Sequence, residues 1–63
     1  MEGTVKFFNA TKGYGFIRPS DNSEDVFVHS SGLIDEIREN DRVSYELEKG
    51  RKGMNAVNVE LID

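Results

Sequence analysis

Five short segments rich in β-branched and aromatic residues divide this chain, and turn-forming residues separate them. This composition is typical of β-strands, which the sequence predicts at residues 3–9, 14–18, 25–29, 43–48 and 54–62. The fourth segment alternates most cleanly, with Val43, Tyr45 and Leu47 on its inward face. The same rule turns three apolar residues of the last segment inward: Val57, Val59 and Leu61. The chain is therefore predicted to be all-β.

The remaining segments are predicted to be turns and loops. Residues 10–13 form a polar turn, and residues 35–41 hold too few apolar side chains for a regular element. Residues 49–53 are expected to be a loop between the last two strands. After the third strand, Ser30 or Ser31 is expected to cap a brief helical turn, because a serine hydroxyl can accept a hydrogen bond from a free backbone amide.

The chain lacks the usual reinforcements of small proteins. Its 63 residues suffice for a single domain over residues 1–63, and a chain of this size buries only ~60% of its unfolded surface. With no cysteine and one histidine it can build neither a disulfide framework nor a zinc site, so we expect no metal and no cofactor. No apolar stretch approaches the ~20 residues that cross a bilayer, and residues 1–6 lack a secretory signal. A cytoplasmic monomer is expected.

Aromatic and aliphatic side chains are predicted to take opposite faces of the second and third strands. Tyr14 and Phe16 stand two residues apart, so both rings lie on one face of an extended strand. The third strand repeats this pattern, with the aliphatic Val26 and Val28 opposite Asp25, Phe27 and His29. Because the aliphatic faces are needed for the core, the rings are expected to face water.

Strand number and strand length together favour a closed barrel. Five short strands cannot form two well-packed sheets, and one open sheet would leave its edge strands unprotected. Closure into a small antiparallel Greek-key barrel, the five-stranded oligonucleotide-binding fold (OB-fold), solves both problems. In that fold the binding surface lies on the second and third strands, which here carry the outward rings.

Charge is unevenly distributed along the chain. Eight basic and twelve acidic residues give a net charge of −4, which argues against binding nucleic acid mainly through bulk charge. Most of the acids lie in residues 21–48, whereas Lys6, Lys12 and Arg18 lie near the beginning and Lys52 belongs to a later basic run. A local positive surface on a negative body is therefore feasible.

Three stretches resemble the cold-shock domain family: KFFN at residues 6–9, KGYGFI at residues 12–17 and DVFVH at residues 25–29. KGYGFI resembles the first ribonucleoprotein motif of that family and VFVH the second, with eight residues between them. An RNA-recognition motif also carries a similar sequence, but it needs two helices and an aromatic residue where this chain has Pro19. The resemblance implies a five-stranded barrel that binds single-stranded RNA and DNA with limited sequence preference, melts weak RNA structure and catalyses no reaction.

Carried over residue by residue, the resemblance implies a set of ligand contacts: Lys6, Phe7, Lys12, Tyr14, Phe16, Asp25, Phe27, His29 and Lys52. The chain also departs from the family pattern. Phe7 stands where bacterial members usually have tryptophan, Ser30 follows His29 where many have phenylalanine, and the segment around Ile37 lacks an aromatic residue. The stacking surface is therefore expected to be narrower at its far end.

Phe7 and Phe8 are adjacent, so only one of the two rings can face outward in a strand. Simple alternation from Val5 would bury Phe7. A bulge near Lys6 would shift every following side chain to the opposite face and would bury Phe8 instead. The family resemblance favours Phe7 as the outward ring.

Each functional assignment has a structural alternative. The rings could pack in the core, the lysines could be solvated, and Gly15 could permit close approach of either a strand or a base. Residues 21–25 contain three acids but lack the glycine and the distant glutamate of an EF-hand loop, so they predict a turn. For the whole molecule, the alternative is a protein-interaction module that uses the same exposed face. No catalytic motif supports an enzyme.

Overall fold

The computed structural model describes residues 1–50 and 53–62, and it is an all-β barrel. Its strands are β1 (Glu2–Asn9), β2 (Tyr14–Pro19), β3 (Val26–His29), β4 (Arg42–Gly50) and β5 (Gly53–Leu61). A short 3₁₀ turn, Ser30–Gly32, follows β3. The five strands form one sheet that closes in the order β1-β2-β3-β5-β4, which confirms the predicted small OB-fold barrel.

Closure of the barrel depends on β5, which pairs with both β4 and β3. The pairing of β3 with β5 is parallel and short, whereas the other ladders between the described strands are antiparallel. The segment after the 3₁₀ turn extends this closure, because Leu33 forms a bridge with Val59 and the Ile34 N–H donates to the Val59 carbonyl at 2.7 Å. Closure leaves neither β3 nor β5 as an open edge, which removes a site for aggregation.

The core consists mainly of β-branched side chains, which come from all five strands and one loop: Val5, Ile17, Val26, Val28, Ile37, Val43, Tyr45, Ala56 and Val59. Phe8, Leu33 and Leu47 pack against this cluster. The predicted alternation of β4 is confirmed, since Val43 and Tyr45 are buried and Leu47 lies against the core. Residues 35–41 are irregular, as predicted, and contribute only Ile37 to the core.

A bulge in β1 decides which phenylalanine faces outward. Val5 pairs with Ile17 and Phe7 pairs with Phe16, so Lys6 is an extra residue on the β1 side. The bulge expected near Lys6 is therefore present: Val5 is fully buried, Phe8 packs against the core and Phe7 is 38% exposed. Gly15 permits the close approach of β1 and β2, because a Cβ there would overlap the Phe7 carbonyl oxygen and the Phe8 Cα.

A second bulge makes the predicted faces of β5 wrong. Ser44 pairs with Glu60 but Glu46 pairs with Val57, so β5 carries one residue more than β4 over this stretch. Asn58 adopts a left-handed φ of 53° there, and its side chain donates to a Glu46 carboxylate oxygen at 2.8 Å. The shift in phase buries Ala56 together with Val59 and leaves Leu61 exposed, instead of burying Val57, Val59 and Leu61.

The β4–β5 hairpin is longer than predicted. Within the expected loop at residues 49–53, the described residues Lys49, Gly50 and Gly53 belong to strands, because Lys49 pairs with Met54 and Gly50 pairs with Gly53. Lys52, a predicted ligand contact, lies outside the described residues. Across the part of the chain that the structure describes, none of the helical segments has the length and apolar character needed to span a membrane.

Tyr45 is the largest fully buried side chain, at 2% exposure. Its backbone is fixed by Met1, whose carbonyl accepts from the Tyr45 N–H at 2.7 Å and whose ammonium donates to the Tyr45 carbonyl at 2.9 Å. The buried Tyr45 hydroxyl has no hydrogen-bond partner among the described residues. Burial raises the pKa of Tyr45 above its ordinary value of 10.0, and the charge of Asp21 adds to the rise.

We predict that the free energy of unfolding falls less between neutral and alkaline pH in the Tyr45→Phe variant than in the parent. Because the folded-state pKa is raised, the unfolded chain loses its proton first, and the free energy of unfolding falls as pH rises above 10.0. The variant lacks this contribution and also loses an unpaired buried hydroxyl, so it should be no less stable than the parent at pH ~7. Urea unfolding at pH ~7 and pH ~11 measures both effects.

Tyr14→Phe is the matched control, since it deletes the hydroxyl of a ring that lies outside the core. The control should keep the parental drop in stability between the two pH values. An equal drop in Tyr45→Phe and in the parent would show that Tyr45 does not couple folding to pH.

Candidate nucleic-acid interface

Four aromatic rings meet on the outer face of β1, β2 and β3, and we call Phe7, Tyr14, Phe16 and Phe27 the ring cluster. The strand register brings them together, because Phe7 pairs with Phe16, which in turn pairs with Phe27. The ring centroids of these paired residues are 5.6 Å apart for Phe7 and Phe16, and 5.8 Å apart for Phe16 and Phe27. Tyr14 reaches Phe7 and Phe27 along the diagonals, at 6.2 and 6.0 Å.

The ring cluster lies outside the barrel. Phe7 is exposed, and Tyr14, Phe16 and Phe27 are partly buried by one another rather than in the core. The core alternative for these three rings is therefore wrong. The planes of Tyr14 and Phe27 are nearly parallel, at 18°, whereas Phe16 stands edge-on to Phe27 at 76°. Each ring is held by two neighbours, so the cluster presents apolar surface in fixed orientations.

Lys6 and Asp25, both predicted ligand contacts, bind each other at the margin of the ring cluster. The Lys6 ammonium donates to an Asp25 carboxylate oxygen at 2.8 Å. Lys6 lies in the β1 bulge, and Asp25 immediately precedes β3 rather than belonging to it. Both side chains are partly exposed, at 50% and 31%, so either group can exchange this partner for a ligand.

His29 ends β3 and has a structural contact of its own. Its Nδ1 accepts from the Ser31 backbone N–H at 3.1 Å and lies 2.9 Å from the Ser31 hydroxyl. His29 therefore caps the 3₁₀ turn, and the prediction that Ser30 or Ser31 would be the cap is wrong. The imidazole nitrogen lies in reach of the free amide and takes the place of a serine hydroxyl. The ring stays exposed beside Tyr14, its partner across the ladder.

Lys12 is exposed in the turn between β1 and β2. Asn9 shapes that turn, because its side chain accepts from the Lys12 N–H at 3.0 Å and its carbonyl from the Gly13 N–H at 2.7 Å. Gly13 has a φ of 76°, which confirms its predicted role in the turn. The Ser30 N–H donates to the Gly13 carbonyl at 2.8 Å and ties this turn to the 3₁₀ turn. Lys12 and His29 therefore lie at the same end of the ring cluster.

Two further residues lie beside the ring cluster and were not among the predicted ligand contacts. Arg18 is exposed two residues after Phe16, so strand alternation places it on the ring face. This signal was available in the sequence. Met54 is 48% exposed and lines one cleft together with Phe16 and Phe27, although it lies far from both in the sequence. No local sequence pattern predicts this contact between distant residues.

The acidic segment 21–25 begins in a turn, as predicted, and continues to β3 without regular structure. The Asp21 carboxylate accepts from the hydroxyl and the backbone N–H of Ser23, and these bonds lower the pKa of Asp21. Asn22 supplies the left-handed φ of 62° that the turn requires. Within residues 1–50 and 53–62 no three acidic or histidine side chains are grouped closely enough to hold a metal ion.

Comparison with known proteins agrees with this architecture. The family model described as "'Cold-shock' DNA-binding domain" matches residues 1–62, so the chain belongs to the cold-shock domain family, a family of nucleic-acid-binding proteins.

Among its curated relatives is the "Major cold shock protein" of Micrococcus luteus, which is 59% identical over 61 residues that cover 90% of this chain and 91% of the relative. The "Probable cold shock protein y4cH" of Sinorhizobium fredii is 52% identical, with 92% and 93% covered. The "Cold shock-like protein CspC" of Escherichia coli K12 is 46% identical, with 98% and 96% covered.

We predict that the Lys6–Asp25 ion pair contributes little to folding. Because both side chains are partly exposed, Asp25→Asn should lower the free energy of unfolding by no more than ~1 kcal/mol at low salt and by less at high salt. Urea unfolding at two salt concentrations measures the effect. Glu24→Gln removes the same charge from the neighbouring residue and is the control. A loss above ~2 kcal/mol that salt leaves unchanged would contradict an exposed pair.

Proposed function

We propose that this protein binds single strands of RNA and DNA with little sequence preference by stacking bases on the ring cluster, and that it acts as an RNA chaperone. The observation that carries the proposal is the position of the four rings outside the barrel on three adjacent strands. Every nucleobase has an apolar face, so stacking accepts any sequence. A strand whose bases lie against protein rings cannot pair at the same time, which is how weak RNA structure would be melted.

Stacking can supply enough affinity despite the acidic balance of the chain. Each base stacked on an aromatic side chain contributes ~1–3 kcal/mol. Three or four such contacts reach the ~8 kcal/mol that corresponds to micromolar affinity once moderate ordering costs are subtracted. Bulk attraction between protein and phosphates is not required, so a net charge of −4 is compatible with binding.

The polar residues around the rings have separate roles in this proposal. Lys12 and Lys6 would contact phosphates, and so would Lys52, which lies outside the described residues. Asp25 would accept a hydrogen bond from a base amino group, and the exposed ring of His29 would extend the stack. The Lys6–Asp25 pair keeps both groups at the margin of the ring cluster until a ligand replaces it. The function involves no chemical step, and it would be exerted on cytoplasmic transcripts, with effects on transcription or translation.

Removal of two rings tests the proposal. The double variant Phe16→Ala with Phe27→Ala should bind a fluorescent oligouridine at least ~30-fold more weakly, because two stacks of ~1 kcal/mol or more are lost. The measurement is a fluorescence titration at low salt. Leu61→Ala is the control, since Leu61 is exposed, at 42%, but lies outside the ring cluster.

Urea unfolding of both variants shows whether the barrel is intact. Unchanged affinity in a folded double variant, or no binding by the parent near millimolar concentrations, would refute stacking on these rings.

The salt dependence of binding should be shallow. If a few lysines contact phosphates, the logarithm of the association constant falls with the logarithm of salt concentration by a slope of about −0.7 for each contact on a single strand. Lys12→Ala should make the slope less negative by about one such contact. Arg42→Ala removes an exposed cation that lies near Glu2 instead, and it should leave the slope unchanged. A slope near zero in the parent would exclude phosphate contacts.

The competing function is a docking site for another protein on the same exposed rings. Capture experiments before and after nuclease treatment separate the two. Partners that disappear with nuclease support nucleic-acid binding, and partners that persist on the parent but not on the double ring variant support docking.

A further inference from the structure

A cleft of about 450 Å³ adjoins the ring cluster, and of its lining residues the proposed function uses only Phe16, Phe27 and Asp25. Phe16 and Phe27 line both surfaces, so the cleft opens directly from the rings. It lies between the β2–β3 loop and the β4–β5 hairpin, with apolar walls formed by Pro19, Val26, Leu47 and Met54. Its volume lies in the ~300–1,000 Å³ range of small-molecule sites, which leaves room for one base.

The floor of this cleft holds an unsatisfied polar group. Tyr45 is one of the residues that line the cleft, and only 2% of its surface is exposed. Its hydroxyl has no hydrogen-bond partner among the described residues. An orphan hydroxyl costs folding free energy. A ligand edge that reached it after a small movement of the exposed loop would supply the missing hydrogen bond.

The rim of the cleft is made of hydrogen-bond acceptors. Ser23, Glu24 and Asp25 line it, and the Asp25 carboxylate is already paired with Lys6. Met1 also lines the cleft, and its ammonium donates to the Tyr45 carbonyl. The Glu24 carboxylate remains an acceptor for an amino group. The apolar walls favour a flat ring over a charged backbone, so the cleft is suited to a base rather than to the sugar-phosphate chain.

We propose that the cleft receives one base of a bound single strand, next to the bases on the ring cluster, and that it prefers a base with an exocyclic amino group to uracil. This inference rests on the proposed function and adds a base preference to it. The amino group donates to the rim carboxylate of Glu24, and the inner edge of the base faces Tyr45. An apolar side chain of a partner protein is the rival occupant.

A cytosine scan of an oligouridine tests the inference. Cytosine and uracil have the same ring, but cytosine carries an amino group where uracil carries a carbonyl, so stacking area stays constant. With one cytosine placed at each position of a seven-nucleotide strand in turn, the parent should bind one placement about three- to tenfold more tightly than the all-uridine strand, the effect of one net hydrogen bond.

Two variants assign the preference to the cleft. Glu24→Ala and Tyr45→Phe should each reduce the cytosine preference while leaving all-uridine affinity within about twofold of the parent. Glu60→Ala removes an equal charge from an exposed position outside the cleft lining, so it should retain the preference. Urea unfolding confirms that each variant is folded. In addition, the methyl resonance of Met54 should shift more with the preferred strand than with the all-uridine strand.

The outcomes separate this inference from the proposed function. If the all-uridine strand fails to bind, stacking on the rings is wrong and the cleft proposal falls with it. If it binds but no cytosine placement is preferred, or if both cleft variants keep the preference, the cleft is not a base site while the ring cluster remains one. A Met54 methyl that shifts only with an apolar peptide would assign the cleft to a protein partner.

Discussion

The outer face of this barrel depends on one extra residue in β1. Lys6 has no pairing partner in β2, so the alternation of inward and outward side chains shifts by one residue between Val5 and Phe7. Without that change Phe7 would point into the barrel and Phe8 out of it. The bulge requires β1 and β2 to approach closely, which Gly15 allows because it has no Cβ. A lysine and a glycine that contribute no core surface thus determine which apolar side chains the core receives.

The distribution of aromatic residues follows from this arrangement. Of the six aromatic side chains, four form the ring cluster, one packs against the core and only Tyr45 is fully buried. The interior is therefore filled by valine and isoleucine, whose branched side chains suit a narrow barrel. The rings stabilise one another on the surface, where each is held in place by two neighbours. Apolar area that a small protein normally buries therefore stays at the surface.

Much of the fold could be predicted from local patterns. The strands, the alternation in β4 and the outward rings of β2 and β3 follow from a period of two, and the conflict between Phe7 and Phe8 predicted the bulge. The predicted faces of β5 were wrong because the bulge at Asn58 adds one residue to β5 opposite β4. An asparagine within a strand sequence does not by itself indicate a left-handed φ. Contacts between distant residues were also missed. The Lys6–Asp25 pair, the His29 cap and the position of Met54 depend on how the sheet closes, which no local pattern encodes.

The separation between inner and outer side chains has a consequence for how such a chain can change over time. Residues of the ring cluster alternate along the same strands with residues that fill the barrel. A substitution in the ring cluster leaves every side chain of the core cluster in place. Selection can therefore change the outer surface and the interior through different positions of the same strands.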